Sequence, residues 1–231
     1  MKGYEQFIDD LKQKMDILGF NPVDIIQGDE NWKKLKLGIV SASNITKAIA
    51  KEGTATRQTY MCELISQICT GVFPEISAKP LEHGNTHEPA ARSAFEFETG
   101  REIKELPFIF KDNDCRAGAS PDGILDNFQG LEIKCPFNSA VHANFLCFND
   151  IKKEYIAQCQ FSMWVTGYDS WIFANYDPRF TKKMLHYITI EKDYKMMQKF
   201  GELVGLFLHD MDRALENIGV KFGSQWSMKN D

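Results

Sequence analysis

The spacing of hydrophobic positions switches several times between helical and extended periods, and the order of those switches predicts a mixed fold. Tyr4, Phe7, Ile8, Leu11, Met15 and Leu18 recur at helical intervals, so an N-terminal helix is expected to end before Asn21-Pro22. A helical turn over 32–37 precedes Gly38, and Ser41-Ala42-Ser43-Asn44 reads as the cap region of a helix running to about Lys51. Another helix is predicted over 58–70, stopped by Gly71. Thr86 reads as the cap of a helix over 88–98, with Pro89 in its first turn and Gly100 as its stop. Three extended segments follow, over 106–110, 115–125 and 130–135, with turns at Lys111-Asp112-Asn113-Asp114 and Asp126-Asn127-Phe128-Gln129-Gly130. A helix over 152–165 leads to strands over 171–176 and 185–190. The chain closes on an amphipathic helix striped by Tyr194, Met197, Phe200, Val204, Phe207, Leu208, Met211, Leu215 and Ile218.

Helix, three strands, helix, strand is not the alternation of a dinucleotide-binding fold. It predicts an α/β (α+β) class, a central mixed β-sheet flanked by helices. No repeat or Pro/Gly/Ser-rich linker divides the chain, so a single domain over 1–231 is expected. Within it, 1–25 would form a helical extension, 86–191 the core, and 192–220 the closing helix. Neither GxGxxG nor GxxxxGK[ST] occurs, so no nucleotide cradle is expected. No apolar run approaches the roughly 18 to 20 residues needed to span a bilayer, so no membrane span is expected. Met1-Lys2-Gly3-Tyr4-Glu5 lacks an apolar secretory core, which points to a cytoplasmic protein.

Charge and cysteines change this picture little. A net charge of −5 argues against a protein that coats nucleic acid by bulk electrostatics, but not against a local basic surface beside an acidic site. Cys62, Cys69, Cys115, Cys135, Cys147 and Cys159 include no CxxC pair and no zinc spacing with histidine, so they are expected to be small, mostly buried hydrophobes. His83 and His87 are four apart, but with Gly84 and the expected cap at Thr86 between them a shared helical face is not expected.

Two short blocks carry candidate chemistry. Ser120-Pro121-Asp122-Gly123 is followed, ten residues after Asp122, by Glu132 in Leu131-Glu132-Ile133-Lys134-Cys135-Pro136. In a strand, Glu132 and Lys134 share a face while Ile133 takes the other. A hairpin would bring Asp122 alongside Glu132, so two carboxylates and an ammonium converge. Such acids hold Mg2+, which stabilises charge building on phosphorus and lowers the pKa of a bound water. Lys134 could orient or deprotonate that water, or steady the phosphorane oxygens. Glu88 adds a third acid, though at a helix start it could simply compensate the dipole. Each block alone reads more readily as a salt bridge or a turn; at this spacing, together, they favour a site.

The chain resembles the lambda-exonuclease (YqaJ-type viral recombinase) family of PD-(D/E)xK nucleases from about Ile26 onward. The likeness runs through Gln27-Gly28-Asp29, 37–43, Cys69-Thr70-Gly71-Val72, Ser120-Pro121-Asp122-Gly123, 131–137, 155–166 and 173–179. The resemblance implies a restriction-endonuclease-like core and two Mg2+ ions, with Mn2+ as a substitute. The ions would be held by Asp122, Glu132, Glu88 and the Ile133 carbonyl, with Lys134 activating water and Gln158 contacting the phosphate near the cut. Ser41, Ser43 and Ser120 would bind a 5′-terminal phosphate together with Lys36, which stands where the family has arginine and so lacks the bidentate fork. An exposed helix N-terminus also suits that phosphate. Arg57 is a further candidate DNA contact.

By the same resemblance the chain would be a processive 5′→3′ exonuclease on linear double-stranded DNA. It would release 5′-mononucleotides and leave a 3′ single strand for phage-style DNA recombination. A homotrimeric ring and a single-strand annealing protein as partner are expected with it. Two rivals are a site-cutting PD-(D/E)xK endonuclease and a non-catalytic module that binds DNA ends. An iron–sulfur relative is disfavoured because no cysteine follows Cys159.

Overall fold

The computed structural model describes residues 1–74 and 78–227. Two short helices, α1 (Tyr4–Lys12) and α2 (Met15–Leu18), bury Phe7, Leu11 and Leu18 in place of the single expected helix. They are followed by α3 (Glu30–Leu35), whose first turn is capped by Asp29 accepting from the Trp32 N–H at 2.6 Å. Strand β1 (Val40–Ser41) runs into a 3-10 turn over Ala42–Asn44 and a single-turn helix, α4 (Ile45–Ala48), well short of the helix expected to reach Lys51. Helix α5 (Ala55–Thr70) starts on a Thr54 cap and ends at Gly71, which takes the left-handed conformation that glycine adopts at little cost.

Helix α6 (Lys79–Thr99) corrects the expectation of a helix opening at Thr86. Pro80 supplies the start, in the first turn where a missing N–H costs nothing, and Pro89 lies inside the helix. Thr86 is not a cap: its hydroxyl donates to the Glu82 carbonyl at 2.7 Å, one turn back.

The extended region is more broken than the periodicity predicts. It forms β2 (Ile109–Phe110), β3 (Ala117–Ala119), β4 (Gly123–Leu125) and β5 (Gln129–Lys134). The expected strand over 115–125 is two strands in different sheets, parted at Ser120-Pro121-Asp122, where proline has no N–H for a ladder. Helix α7 (Ser139–Phe148), not anticipated, is capped by Asn138. It precedes α8 (Lys153–Thr166), β6 (Ser170–Tyr176), β7 (Leu185–Glu191), α9 (Tyr194–Asn217) and α10 (Ser224–Ser227).

One sheet has the order β1-β3-β2, and a four-stranded sheet has the order β4-β5-β6-β7, with β5 and β6 parallel and the other two pairs antiparallel. The class is thus mixed α/β, as expected. Strand β5 is central and its residues from Gly130 to Ile133 are all buried, as befits a strand covered on both faces. Gly130 is required there, because a Cβ would collide with the Trp171 ring of β6. The closing helix α9 buries Phe200, Val204, Phe207, Met211 and Leu215, whereas Tyr194 and Ile218, at the ends of the expected stripe, are exposed. Of the cysteines, Cys115, Cys135 and Cys159 are buried, but Cys62 and Cys147 are exposed. Among the described residues, no helix is long and apolar enough to cross a membrane.

Candidate active site

The break between β3 and β4 places Asp122 beside the middle of β5. Its N–H donates to the Leu131 carbonyl at 3.1 Å, and its Oδ2 accepts from the Ile133 N–H at 2.6 Å. The register pairs Gly123 with Leu131, so the hairpin, turned by a 3-10 segment over Asp126–Phe128, brings Asp122 to Glu132 as the sequence predicts. Glu132 is 1% exposed. Its Oε1 accepts from Lys134 Nζ at 2.5 Å and from Gln158 Nε2, on α8, at 2.6 Å. Its other oxygen, Oε2, is buried with no hydrogen-bond partner. A buried, unpartnered carboxylate oxygen is costly and calls for a cation or a proton.

Electrostatics point the same way. Burial pushes Glu132 up to about 8, opposed by Lys134 and assisted by the charges of Asp122 and Glu88. Glu88, on α6, is pushed up to about 7 by burial and then by Asp122. Asp122 is raised as well, by burial, against the pull of Lys134 and the Ile133 N–H. Burial and mutual repulsion oppose the ionisation of all three acids, and a divalent cation would favour their charged forms, so the donor set fits Mg2+. The acids are not gathered into a ready cage: among the described residues, no group of three or more His, Cys, Asp or Glu side chains is arranged to hold a metal ion. Mg2+ keeps most of its waters and needs only one or two carboxylates. Lys134 feels a burial penalty, but Glu132 and Asp122 outweigh it and raise its pKa, so the side chain is an ammonium.

The residues expected around a 5′-phosphate fall into two groups. Lys36 Nζ lies 3.5 Å from the centroid of the Trp32 ring, and Trp32 Nε1 donates to Ser120 Oγ at 3.2 Å and to the Pro107 carbonyl at 2.9 Å. Ser41 and Ser43 share a 3.3 Å hydroxyl contact, and Asn44 Nδ2 donates to Ser41 Oγ at 3.3 Å. Burial pulls Lys36 down to about 7. Ser43 does not open a long helix, since it lies in the 3-10 turn before the four-residue α4. Arg57 turns inward, paired with Asp210 at 2.7 Å and stacked on Phe207, because α9 covers that face of α5. This geometry does not offer it to DNA.

Sequence reasoning missed several side chains. His83 and His87 do share a helical face, with ring centroids 4.3 Å apart, because α6 runs unbroken through Gly84 and Thr86. Burial, His87 and Arg179 hold the His83 imidazole below its usual pKa. Arg179 clamps the exit of β5: it donates to both oxygens of the buried Asp177 and to the Pro136 and Phe137 carbonyls at 2.9 and 3.1 Å. Burial opposes ionisation of Asp177, but its bonds to Arg179 and Ser139 prevail and hold it down to about 2. Tyr155 lies 5.2 Å under the Lys134 ammonium. Arg92 bonds Glu88 one helical turn back, a spacing readable in the sequence.

Residues 31–169 match the model of the YqaJ-like viral recombinase domain, a span that includes Glu88, Asp122, Glu132, Lys134 and Gln158. The chain belongs to that family. Its fold matches an alkaline exonuclease (LHK-Exo) from Laribacter hongkongensis, with a TM-score of 0.75 and 34% identity over 82% of this chain and 96% of the other. The same enzyme in complex with dAMP gives a TM-score of 0.76. A phage-related exonuclease from Haemophilus somnus 129PT, 15% identical with a TM-score of 0.63 over 78% of this chain and 96% of that one, shares the fold. An uncharacterised protein of Escherichia coli (strain K12), ExoD, is 53% identical over 79 residues, which are 34% of this chain and 91% of ExoD. The lambda-exonuclease likeness read from the sequence and this family assignment therefore agree.

Proposed function

We propose that the chain is a Mg2+-dependent exonuclease that digests linear double-stranded DNA processively from 5′ to 3′. It would release 5′-mononucleotides and leave a 3′ single strand for annealing recombination. The observation that carries this reading is the trio of buried Glu132 and half-buried Glu88 and Asp122, with Lys134 and Gln158 beside it, in a family with alkaline exonuclease members. Asp122, Glu132, Glu88 and the Ile133 carbonyl would hold two ions, Mn2+ serving as well. When bound, the metal supplies Lewis-acid stabilisation of the phosphorus centre and a water acidified for attack.

The chain's own groups do the remainder. Lys134, an ammonium held by Glu132, orients the attacking water and donates to phosphate oxygens in the transition state; a base role would require it to lose a proton that two carboxylates retain. Gln158, donating to Glu132 in the resting site, steadies that carboxylate and reaches the phosphate near the cut. Binding of the 5′-terminal phosphate falls to Lys36, Ser41, Ser43 and Ser120. A homotrimeric ring would confer processivity on an acidic chain, since only its channel needs positive charge, and a single-strand annealing protein would take up the 3′ strand in the cytoplasm of a bacterial host.

Digestion of a linear duplex labelled at either end, with a 5′-phosphate or a 5′-hydroxyl, tests polarity and pocket together. Early Mg2+-dependent loss of the 5′ label, faster with phosphate, is expected; early loss of the 3′ label or internal fragments would overturn the polarity. Because Lys36 titrates near 7, the phosphate-to-hydroxyl ratio of kcat/KM should fall as pH rises from 7 to 9. Lys36→Arg should flatten that fall, since arginine stays charged throughout. A ratio that falls equally in the variant would remove Lys36 from the pocket.

A further inference from the structure

Arg92 lies on α6 one turn after Glu88, with its side chain largely buried, and its guanidinium meets three separate acceptors. Nη2 bonds Glu88 Oε1, Nε donates to the Asp122 main-chain carbonyl at 2.9 Å, and Nη1 pairs with Glu105 Oε2 at 2.9 Å. Glu88 and Asp122 come from different elements, a helix and the break between two sheets. The planar fork suits this task, because its donors have fixed directions where a lysine offers one point charge.

We propose that Arg92 is a positioning residue that presets the Glu88 carboxylate and the Asp122 backbone for a divalent cation, an inference that rests on the metal-dependent reading above. A cation this close would ordinarily repel a metal. Glu105 and Glu88 pair with the same guanidinium and offset part of that charge. Arg92 occupies one oxygen of Glu88, so the carboxylate is held in a set direction and its second oxygen is left for other partners. Outer-shell partners of this kind typically change metal affinity by about 10- to 100-fold when removed.

The test compares wild type, Arg92→Met and Arg92→Lys by two readouts. One is the Mg2+ concentration giving half-maximal digestion of a linear duplex. The other is Mn2+ binding by calorimetry without DNA. Arg92→Met should raise the Mg2+ midpoint and weaken Mn2+ binding by about 10-fold or more, with most of the saturating rate regained at high Mg2+. Arg92→Lys should lie between, since it keeps the charge but cannot span three acceptors. A folded Arg92→Met with a lowered melting temperature and unchanged metal binding would reduce Arg92 to a structural role and overturn the proposal. Should Arg92→Met fail to fold, Arg92→Lys decides alone: an unchanged midpoint overturns the proposal and a raised one supports it. Wild type that binds Mn2+ yet cuts no DNA would count against the nuclease reading only, since the calorimetric comparison still decides the role of Arg92.

Discussion

Replacing Asp122 by asparagine is expected to abolish DNA cleavage while making the metal-free protein harder to melt. The two effects share one cause. Burial raises the pKa of Asp122, so its ionised form is disfavoured in the fold. Asparagine retains an oxygen to accept from the Ile133 N–H, whose bond to Asp122 is 2.6 Å, but carries no charge to hold a cation. Loss of one preorganised electrostatic element typically costs about 10^2- to 10^3-fold in rate, and a lost metal ligand belongs at or beyond the upper end. In EDTA, each kcal/mol of relief would raise the melting temperature of a chain this size by about 2 to 4 °C. Wild-type cleavage by the variant would remove Asp122 from the mechanism, and a lower melting temperature in EDTA would show that its charge stabilises the fold.

Dependence on pH is the second large effect: stability in EDTA should fall as pH rises, whereas affinity for Mg2+ should grow. Glu88 near 7 and Glu132 near 8 lie far above unfolded carboxylates at roughly 4.3. Between these limits the folded, metal-free chain holds protons that the unfolded chain has lost. Stability in EDTA from these two groups is therefore full at about pH 4 and falls as pH rises through 7 to 8. Metal binding must displace the same protons, so affinity should strengthen with pH. From pH 6 to 8 the Mg2+ midpoint for cleavage is expected to fall by about tenfold or more, and added Mg2+ should restore the melting temperature lost in EDTA. A midpoint that is flat across that range would mean these acids are already ionised without metal, against the burial seen for Glu132.

The geometry of the candidate site was legible because it depends on short-range rules. A two-residue strand period puts Glu132 and Lys134 on one face, and a hairpin of this length returns Asp122 to them. Gln158, implied by resemblance, also meets Glu132 through a 2.6 Å bond. What escaped depends on context. Pro89 reads as a helix start only if nothing upstream can be helical, and Pro80 supplies an earlier start. The strand expected over 115–125 divides because Pro121 ends pairing in one sheet before Gly123 begins it in another. Helix α7 escaped because its apolar residues surround it and give no face to detect. Arg57 reads as a candidate DNA contact in the sequence, and only the packing of α9 against α5 reveals Asp210 as its partner. The pairing of Arg92 with Glu88 was readable at four residues' spacing, but its reach to Asp122 and Glu105 was not.

An end-dependent hydrolytic site built on Asp122 and Glu132 can be probed on one plasmid in two forms. Covalently closed circles and the same molecules linearised by a single blunt cut would be incubated with protein and Mg2+. The linear form should be degraded to mononucleotides, the closed circle should survive, and EDTA or Asp122→Asn should stop the reaction. Cutting of the closed circle at matched rate would contradict the requirement for an end, and survival of both forms in Mg2+ would contradict the nuclease itself.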